Sequence, residues 1–320
     1  MPDIVVNFFV LGLLAGLVKS DLEVPRAAYD VLSLMLMLTI GLKGGMALHG
    51  NITLGVLGEL AVVAAVGAAI PLLLLPLLRG VLRLSLADSA SLAAHYGSVS
   101  AGTFAVALAY AETQRLAVGA EVTLYLVMME LPAIVVAIVL YQRLSRAAVA
   151  DGKRSRMAVV GPVWREALTN RGVILLVGGV VIGLLYGPEN GSSVTALFTH
   201  AFTAVLALFL LDMGLTAAAS LNPLPWRHWR VMVFALLIPL PLAALGLLVG
   251  ALLQLPPGSV VIFTALVASA SYIAAPAAVR TAIPGANIGL AMLAALGLTF
   301  PVNVLIGIPV YHRIVEWLLV

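Results

Sequence analysis

The side chains able to do chemistry in this chain are few, and hydroxyls dominate them. Two short segments concentrate them: HYGSVSAGTFA (95–105) and ASASYIAAPAA (268–278). The first holds Gly97, Ser98, Val99, Ser100, Ala101, Gly102 and Thr103; the second holds Ser269, Ala270, Ser271 and Tyr272, with Pro276 close behind. Both interrupt long apolar runs, where weak helix formers and a proline predict a break in the backbone, the glycines allowing unwinding and close approach. A break exposes the N–H groups and positive dipole end of the half-helix that follows, which suits a small anion. Bare carbonyls ending the half-helix before it suit a cation such as Na⁺. Ser98, Ser100, Thr103, Ser269 and Ser271 add neutral oxygens for either ion. Taken singly, each segment also reads as close helix packing, because small residues let membrane helices approach and serines bond back to their own backbone.

Ionisable residues inside apolar runs are costly and mark ion pathways or interhelical bonds. Glu130, just before Pro132, and Asp212, within FLLDMGL, are the candidate ligands for a coupling cation or a proton. The competing reading is an interhelical hydrogen bond or pairing with a residue such as Lys43. His95, one turn before the first serine segment, either titrates near neutral pH or is a packed histidine. Glu59 lies close enough to the start of its run to be solvated, and His200 reads as packing. The chain has no cysteine, which excludes disulfides, iron–sulfur clusters and thiolate metal sites. Neither HExxH, paired aspartates nor a Ser–Lys dyad is present, so an intramembrane enzyme is the remotest reading. No cofactor is expected beyond Na⁺ as a coupling ion, and no nucleic-acid signature is present.

These residues must be held by helices in a bilayer. Of 320 residues, 62% are hydrophobic and 10% charged, and the mean hydropathy is +1.14, too apolar for a soluble surface. Apolar runs recur from end to end at the length that crosses a hydrocarbon core. Spans are predicted near 4–18, 27–48, 53–78, 85–110, 119–141, 172–187, 193–218, 230–253, 258–279 and 286–311. The fold class is thus an all-α polytopic membrane protein of ten transmembrane helices. Met1-Pro2-Asp3 lacks a basic n-region, so the first run is expected to be a span rather than a removable signal peptide.

Basic residues set the orientation. The 142–171 loop carries Arg143, Arg146, Lys153, Arg154, Arg156, Arg165 and Arg171. Alternate loops on the same side add Lys19, Arg26, Arg79, Arg83, Arg227, Arg230 and Arg280, fourteen in all, against Arg115 and Arg313 opposite and Lys43 near the end of the second span. That side is expected to be cytoplasmic, with both termini outward, and the net charge of +3 then reflects topology rather than an anionic partner.

The basic loop divides the chain into 1–141, 142–171 and 172–320, with five spans on each side. TIGLKGGMAL (39–48) aligns with DMGLTAAASL (212–221), GSVSAG (97–102) with ASASYI (268–273), and LPAIVVAIVLYQR (131–143) with FPVNVLIGIPVYHR (300–313). Three matches in order at near-equal spacing suggest a repeat. Five spans is an odd number, so the halves insert upside down relative to each other, the plan of secondary transporters.

The blocks IGLKGGMAL, HYGSVSAGTFAVALAYAE, MMELPAIVVAIV, ASASYIAAPAAVRTAIPGAN and GLTFPVNVLIGIPVYH resemble, in order from about residue 30 to 312, the sodium-dependent bicarbonate transporter family of bacteria. The resemblance implies a core and a gate domain, discontinuous crossing helices in the core, and a homotrimer in the inner membrane. It implies import of bicarbonate by symport with Na⁺, and a regulatory partner of the P-II type. Carried over by motif, substrate positions fall in Gly97 to Thr103 and at Ala270, Ser271 and Tyr272. Ion positions fall at Ser98, Ser100, Thr103, Ser269, Ser271 and Glu130. The chain departs from the cyanobacterial carriers in four places. Ser269-Ala270-Ser271-Tyr272 stands where they read Ser-Ser-Ser-Asp, and Glu130 replaces an Asp. Thr299-Phe300-Pro301 replaces Gly-Thr-Pro, and the cytoplasmic connection is shorter. The alternative reading keeps the fold but exchanges bicarbonate for another small anion, or Na⁺ for H⁺.

Overall fold

The computed structural model describes residues 4–51, 53–149, 169, 171–222, 224 and 226–319. Its helices are α1 (Ile4–Leu17), α2 (Arg26–Leu48), α3 (Leu54–Gly80), α4 (Leu86–Gly97), α5 (Ala101–Thr113), α6 (Val122–Val149), α7 (Arg171–Asn190), α8 (Ser192–Leu221), α9 (Trp229–Leu237), α10 (Pro239–Leu252), α11 (Pro257–Val267), α12 (Ala274–Ala282) and α13 (Ile288–Leu318). Among the described residues there is no strand. Each predicted span coincides with helix, most edges agreeing to within a few residues. The predicted spans 85–110 and 258–279 are each split, into α4 and α5 and into α11 and α12. Among the described residues eight segments are long and apolar enough to cross a membrane; α1 and α11 are apolar but shorter. The sixth helix runs past the predicted end at 141, and Lys153, Arg154, Arg156 and Arg165 lie outside the described residues.

The helices fall into two packing groups. In one, α1 lies along α8 and α2 lies along α7. Glycines set both seams: a Cβ on Gly12 would overlap the Leu211 carbonyl, and one on Gly41 would overlap the Leu176 carbonyl. Small residues of this kind let helix backbones touch where lipid offers no hydrophobic drive to association. The second group joins α3 to α6 with α9 to α13. Its centre is α4 and α11, whose residues Ser89–Gly97 and Gly258–Val267 are buried throughout.

Prolines shape this second group, and polar side chains satisfy what they leave bare. Pro239 has no N–H to donate to the carbonyl of Ala235. Thr299 Oγ1 donates there instead at 2.7 Å, and the Tyr96 hydroxyl bonds Thr299 at 2.7 Å. The last helix widens to π geometry over Leu293–Thr299 and Asn303–Gly307, on either side of Phe300-Pro301. Such widening absorbs the proline without ending the helix. Asn303 Nδ2 donates to the Ala265 carbonyl at 2.9 Å, tying α13 to α11.

Candidate functional site

The first break is short. Ser98 is extended (ψ 163°) and its N–H still reaches the Ala94 carbonyl, closing α4. Ser100 is the N-cap of α5, its Oγ accepting the Thr103 N–H at 3.0 Å. This satisfies one of the four donors that every helix start leaves unpaired. The second break is longer, running from Ala268 to Ile273 between α11 and α12. Ser271 Oγ accepts the Ala275 N–H at 3.2 Å and so caps α12 from three residues before its start.

The two breaks are stitched to each other. Ser269 Oγ donates to the Leu266 carbonyl at 2.7 Å and accepts the Ser100 N–H at 2.9 Å. The Ser271 N–H donates to the His95 carbonyl at 2.7 Å. Of the carbonyls ending α4 and α11, those of Ala94, His95, Ala265 and Leu266 accept hydrogen bonds. Two expectations are corrected here. Gly97 and Gly102 remain helical; Ser98, Val99 and Ser100 carry the unwinding, while the glycines serve close approach. Pro276 is not in the break but is the third residue of α12, where a missing N–H leaves no intrahelical bond unmade.

Between the breaks lies a cavity of about 190 Å³, room for a small anion and a few waters. Val99, Ser100 and Ala101 line it from the first break and Ser271, Tyr272 and Ile273 from the second. Glu130 of α6 joins them, and the opposite wall is Ser33 and Met37 of α2 with Arg171 to Val173 and Leu176 of α7. The cavity therefore sits between the two packing groups. Glu130 has no ion-pair partner among the described residues. Lys43, weighed as its partner, instead pairs with Glu112 at 2.5 Å and lies 4.5 Å from the centre of the Phe202 ring. Among the described residues the one cation on the cavity wall, Arg171, is paired with Asp30 at 2.8 Å.

Tyr272 crosses from the second break to the first. Its hydroxyl lies beside Ser100 and Gly102 in the first turn of α5, without forming a hydrogen bond of regular geometry. Only glycine leaves room for it, since a Cβ at residue 102 would overlap the phenol oxygen. The ring packs edge-on against Phe300 at 5.5 Å, which in turn meets Phe9 at 5.4 Å.

The structure thus brings together Val99, Ser100, Ala101, Glu130, Ser271 and Tyr272 on one cavity. Ser98, Gly102, Thr103, Ser269 and Ala270 lie buried behind it. Ser98 Oγ and Thr103 Oγ1 are buried without a partner among the described residues, and so is His95 Nε2, although His95 Nδ1 bonds the Ser91 carbonyl at 2.7 Å. Asp212 is elsewhere, on α8 near Tyr29. Glu59 accepts a hydrogen bond from Tyr125, and His200 is exposed rather than packed. Ser33, Met37 and Arg171 escaped the sequence reading as site residues, because nothing in their spacing separates them from ordinary helix and loop positions. Among the described residues no three His, Asp or Glu side chains cluster to hold a metal ion.

A comparison with curated proteins gives no match. The family model of the Na⁺-dependent bicarbonate transporter superfamily matches residues 4–316, which takes in both breaks, Glu130 and every wall of the cavity. The chain belongs to that superfamily, and it is a membrane-embedded transporter rather than an enzyme.

Proposed function

We propose that the protein imports bicarbonate together with Na⁺ across the bacterial inner membrane. The observation that carries this reading is the cavity, where Glu130, a carboxylate without an ion-pair partner, shares one small space with Ser100, Ser271 and the start of α12. A carboxylate at that depth needs a compensating cation or proton. Na⁺ held by Glu130 and nearby hydroxyl and carbonyl oxygens meets that need. The anion then lies at the N-terminus of α12, whose positive dipole end favours negative charge. Transport follows from one packing group shifting against the other, since the cavity has one wall from each.

The helices read as ten spans in two inverted repeats. Packing supports this: α2 on α7 pairs the second span with the sixth, and α8 on α1 pairs the seventh with the first, so the repeat exchanges one seam for the other. Both termini then face outward, and the resemblance to the bicarbonate carriers suggests a homotrimer. Uptake of radiolabelled bicarbonate into proteoliposomes tests the coupling: an inward Na⁺ gradient is expected to drive accumulation, and uptake indifferent to Na⁺ would overturn it.

A second reading keeps the fold and changes the ions. Tyr272 favours it, because a phenol stands where a carboxylate would help to hold Na⁺ in the cyanobacterial carriers. Uptake driven by an inward proton gradient in Na⁺-free buffer, or a preference for another small anion, would select this reading.

A further inference from the structure

On the outer surface of the second packing group, away from the ion cavity, a groove of about 680 Å³ runs between the end of α3 and the helices α9 and α10. Phe234 and Ile238 form its floor and are buried. Leu77 and Val81 form one wall, and Val233, Leu237 and Pro241 form the other. From Val233 to Pro241 the apolar wall extends over about 12 Å of helix. One end of the groove is different: it carries Arg83, Arg230 and Trp229, with no acidic residue among the lining side chains. Arg230 lies over the Trp229 ring at 5.7 Å, and neither arginine has an ion-pair partner among the described residues. Arg79 and Arg227 are close to Arg83 and Arg230 in sequence.

We propose that this groove binds an anionic glycerophospholipid. The phosphate sits between Arg83 and Arg230, and the acyl chains lie along Leu77, Val81, Val233, Leu237 and Pro241. The chemistry matches at both ends. Two unpaired guanidiniums at the end of a span attract an anionic headgroup, and a tryptophan beside them suits the interfacial depth. An apolar trough more than two helical turns long needs hydrocarbon to fill it. A free phosphate would leave the trough empty, and an ordinary zwitterionic lipid would bring a choline against the arginines.

Native mass spectrometry of the detergent-purified protein, with phosphatidylglycerol or phosphatidylcholine added, tests the assignment. The wild-type chain is expected to retain phosphatidylglycerol in preference by on the order of tenfold, given two arginines near the headgroup. Arg83→Asn with Arg230→Gln should abolish the preference; asparagine suits residue 83, whose φ is +55°. Leu237→Trp keeps both arginines and fills the trough, so it should lower retention of phosphatidylglycerol if the chains lie there. Equal retention of the two lipids by the wild type would overturn the proposal. So would an unchanged preference in the double variant, or displacement of the lipid by millimolar inorganic phosphate. Should the double variant fail to fold, Leu237→Trp decides: undiminished retention overturns the proposal.

Discussion

The two breaks align with each other in sequence, yet they are chemically unequal. The first is compact and self-contained: three residues, with Ser100 capping its own half-helix. The second is six residues long, and it uses the first as a brace through Ser269 and the backbone of Ser271. Their half-helix starts differ as well. Both meet the cavity, α5 at Ala101 and α12 at Ala274, but only the start of α5 has the Tyr272 hydroxyl packed over it, at Gly102. A pattern repeated in sequence has become an asymmetric site: both arms line the cavity, but the first also serves as scaffold for the second.

The largest effect expected from that asymmetry is at Ser271. Ser271→Leu places a branched side chain in the cavity and removes the cap of α12, so uptake should fall to background while the protein still elutes as a folded species on gel filtration. Ser98→Ala, at a fully buried hydroxyl with no partner and outside the cavity lining, should leave uptake within about twofold, because an unmade hydrogen bond has nothing to lose. If Ser98→Ala were as damaging as Ser271→Leu, the two arms would be functionally equivalent and the asymmetry would be lost.

Glu130 belongs to neither break, and its effect shows which ion the cavity holds. Glu130→Gln keeps the shape and removes the charge. Uptake should fall by about tenfold, a loss of about 1.4 kcal/mol of ion binding. Stabilisation of the purified protein by Na⁺ in a thermal melt should vanish, since only ligands that bind the native state raise its melting temperature. Retained Na⁺ stabilisation in this variant would move the cation from the cavity to the scaffold side, where Ser98 and Thr103 have unpartnered oxygens.

The Tyr272–Gly102 contact links the arms directly, and a pair of variants dissects it. Gly102→Ala adds a methyl group where the phenol oxygen lies, so the tyrosine must move. Overpacking of this kind typically costs about 1–3 kcal/mol. Tyr272→Phe alone removes only a hydroxyl that makes no regular hydrogen bond, and should change thermal stability little. Combined, the two should be less damaging than Gly102→Ala alone, because the atom in the way is gone. Additivity in this cycle would show that the glycine is needed for some other neighbour, such as Phe209 or Phe300.

The helices and the location of both breaks are readable in the sequence because run length and the clustering of glycine, serine and proline are local signals. The walls are not. Which hydroxyl faces the cavity depends on φ and ψ in a non-helical stretch, and no periodicity reports those: Ser98 and Ser100 look alike in sequence, yet only Ser100 lines the cavity. The far wall, Ser33 and Met37 with Arg171, comes from helices whose sequences mark nothing but membrane spans and a basic loop. Tyr272 is conspicuous as a departure from its relatives. Its use of Gly102 requires knowing that residues 170 positions apart in the chain are in contact. The partner of Lys43 is hidden for the same reason, being set by how α2 meets α5.

That partner, Glu112, supplies the smallest and last test. It lies at the far end of α5, so the scaffold arm is tied to α2 in the opposite packing group by an ion pair of 2.5 Å. No ion pair ties α12 to another helix among the described residues. The pair is partly exposed, at 22% for Lys43 and 44% for Glu112, so water screens it and its contribution to stability is at most about 1 kcal/mol. Glu112→Gln should therefore lower the melting temperature by only a few degrees. Its effect on transport should be more visible than its effect on stability. If the two packing groups shift during the cycle, a bond between α2 and α5 forms in one state and is released in the other. Loss of the bond then changes the relative population of those states by the same small free energy, up to about fivefold. Cysteines introduced at Ser33 and Ser271, in a chain that has none of its own, would report that shift as a change in labelling rate when Glu112→Gln is added to the wild-type background. Equal labelling rates with and without Glu112→Gln would mean that the scaffold arm is not held differently from the binding arm.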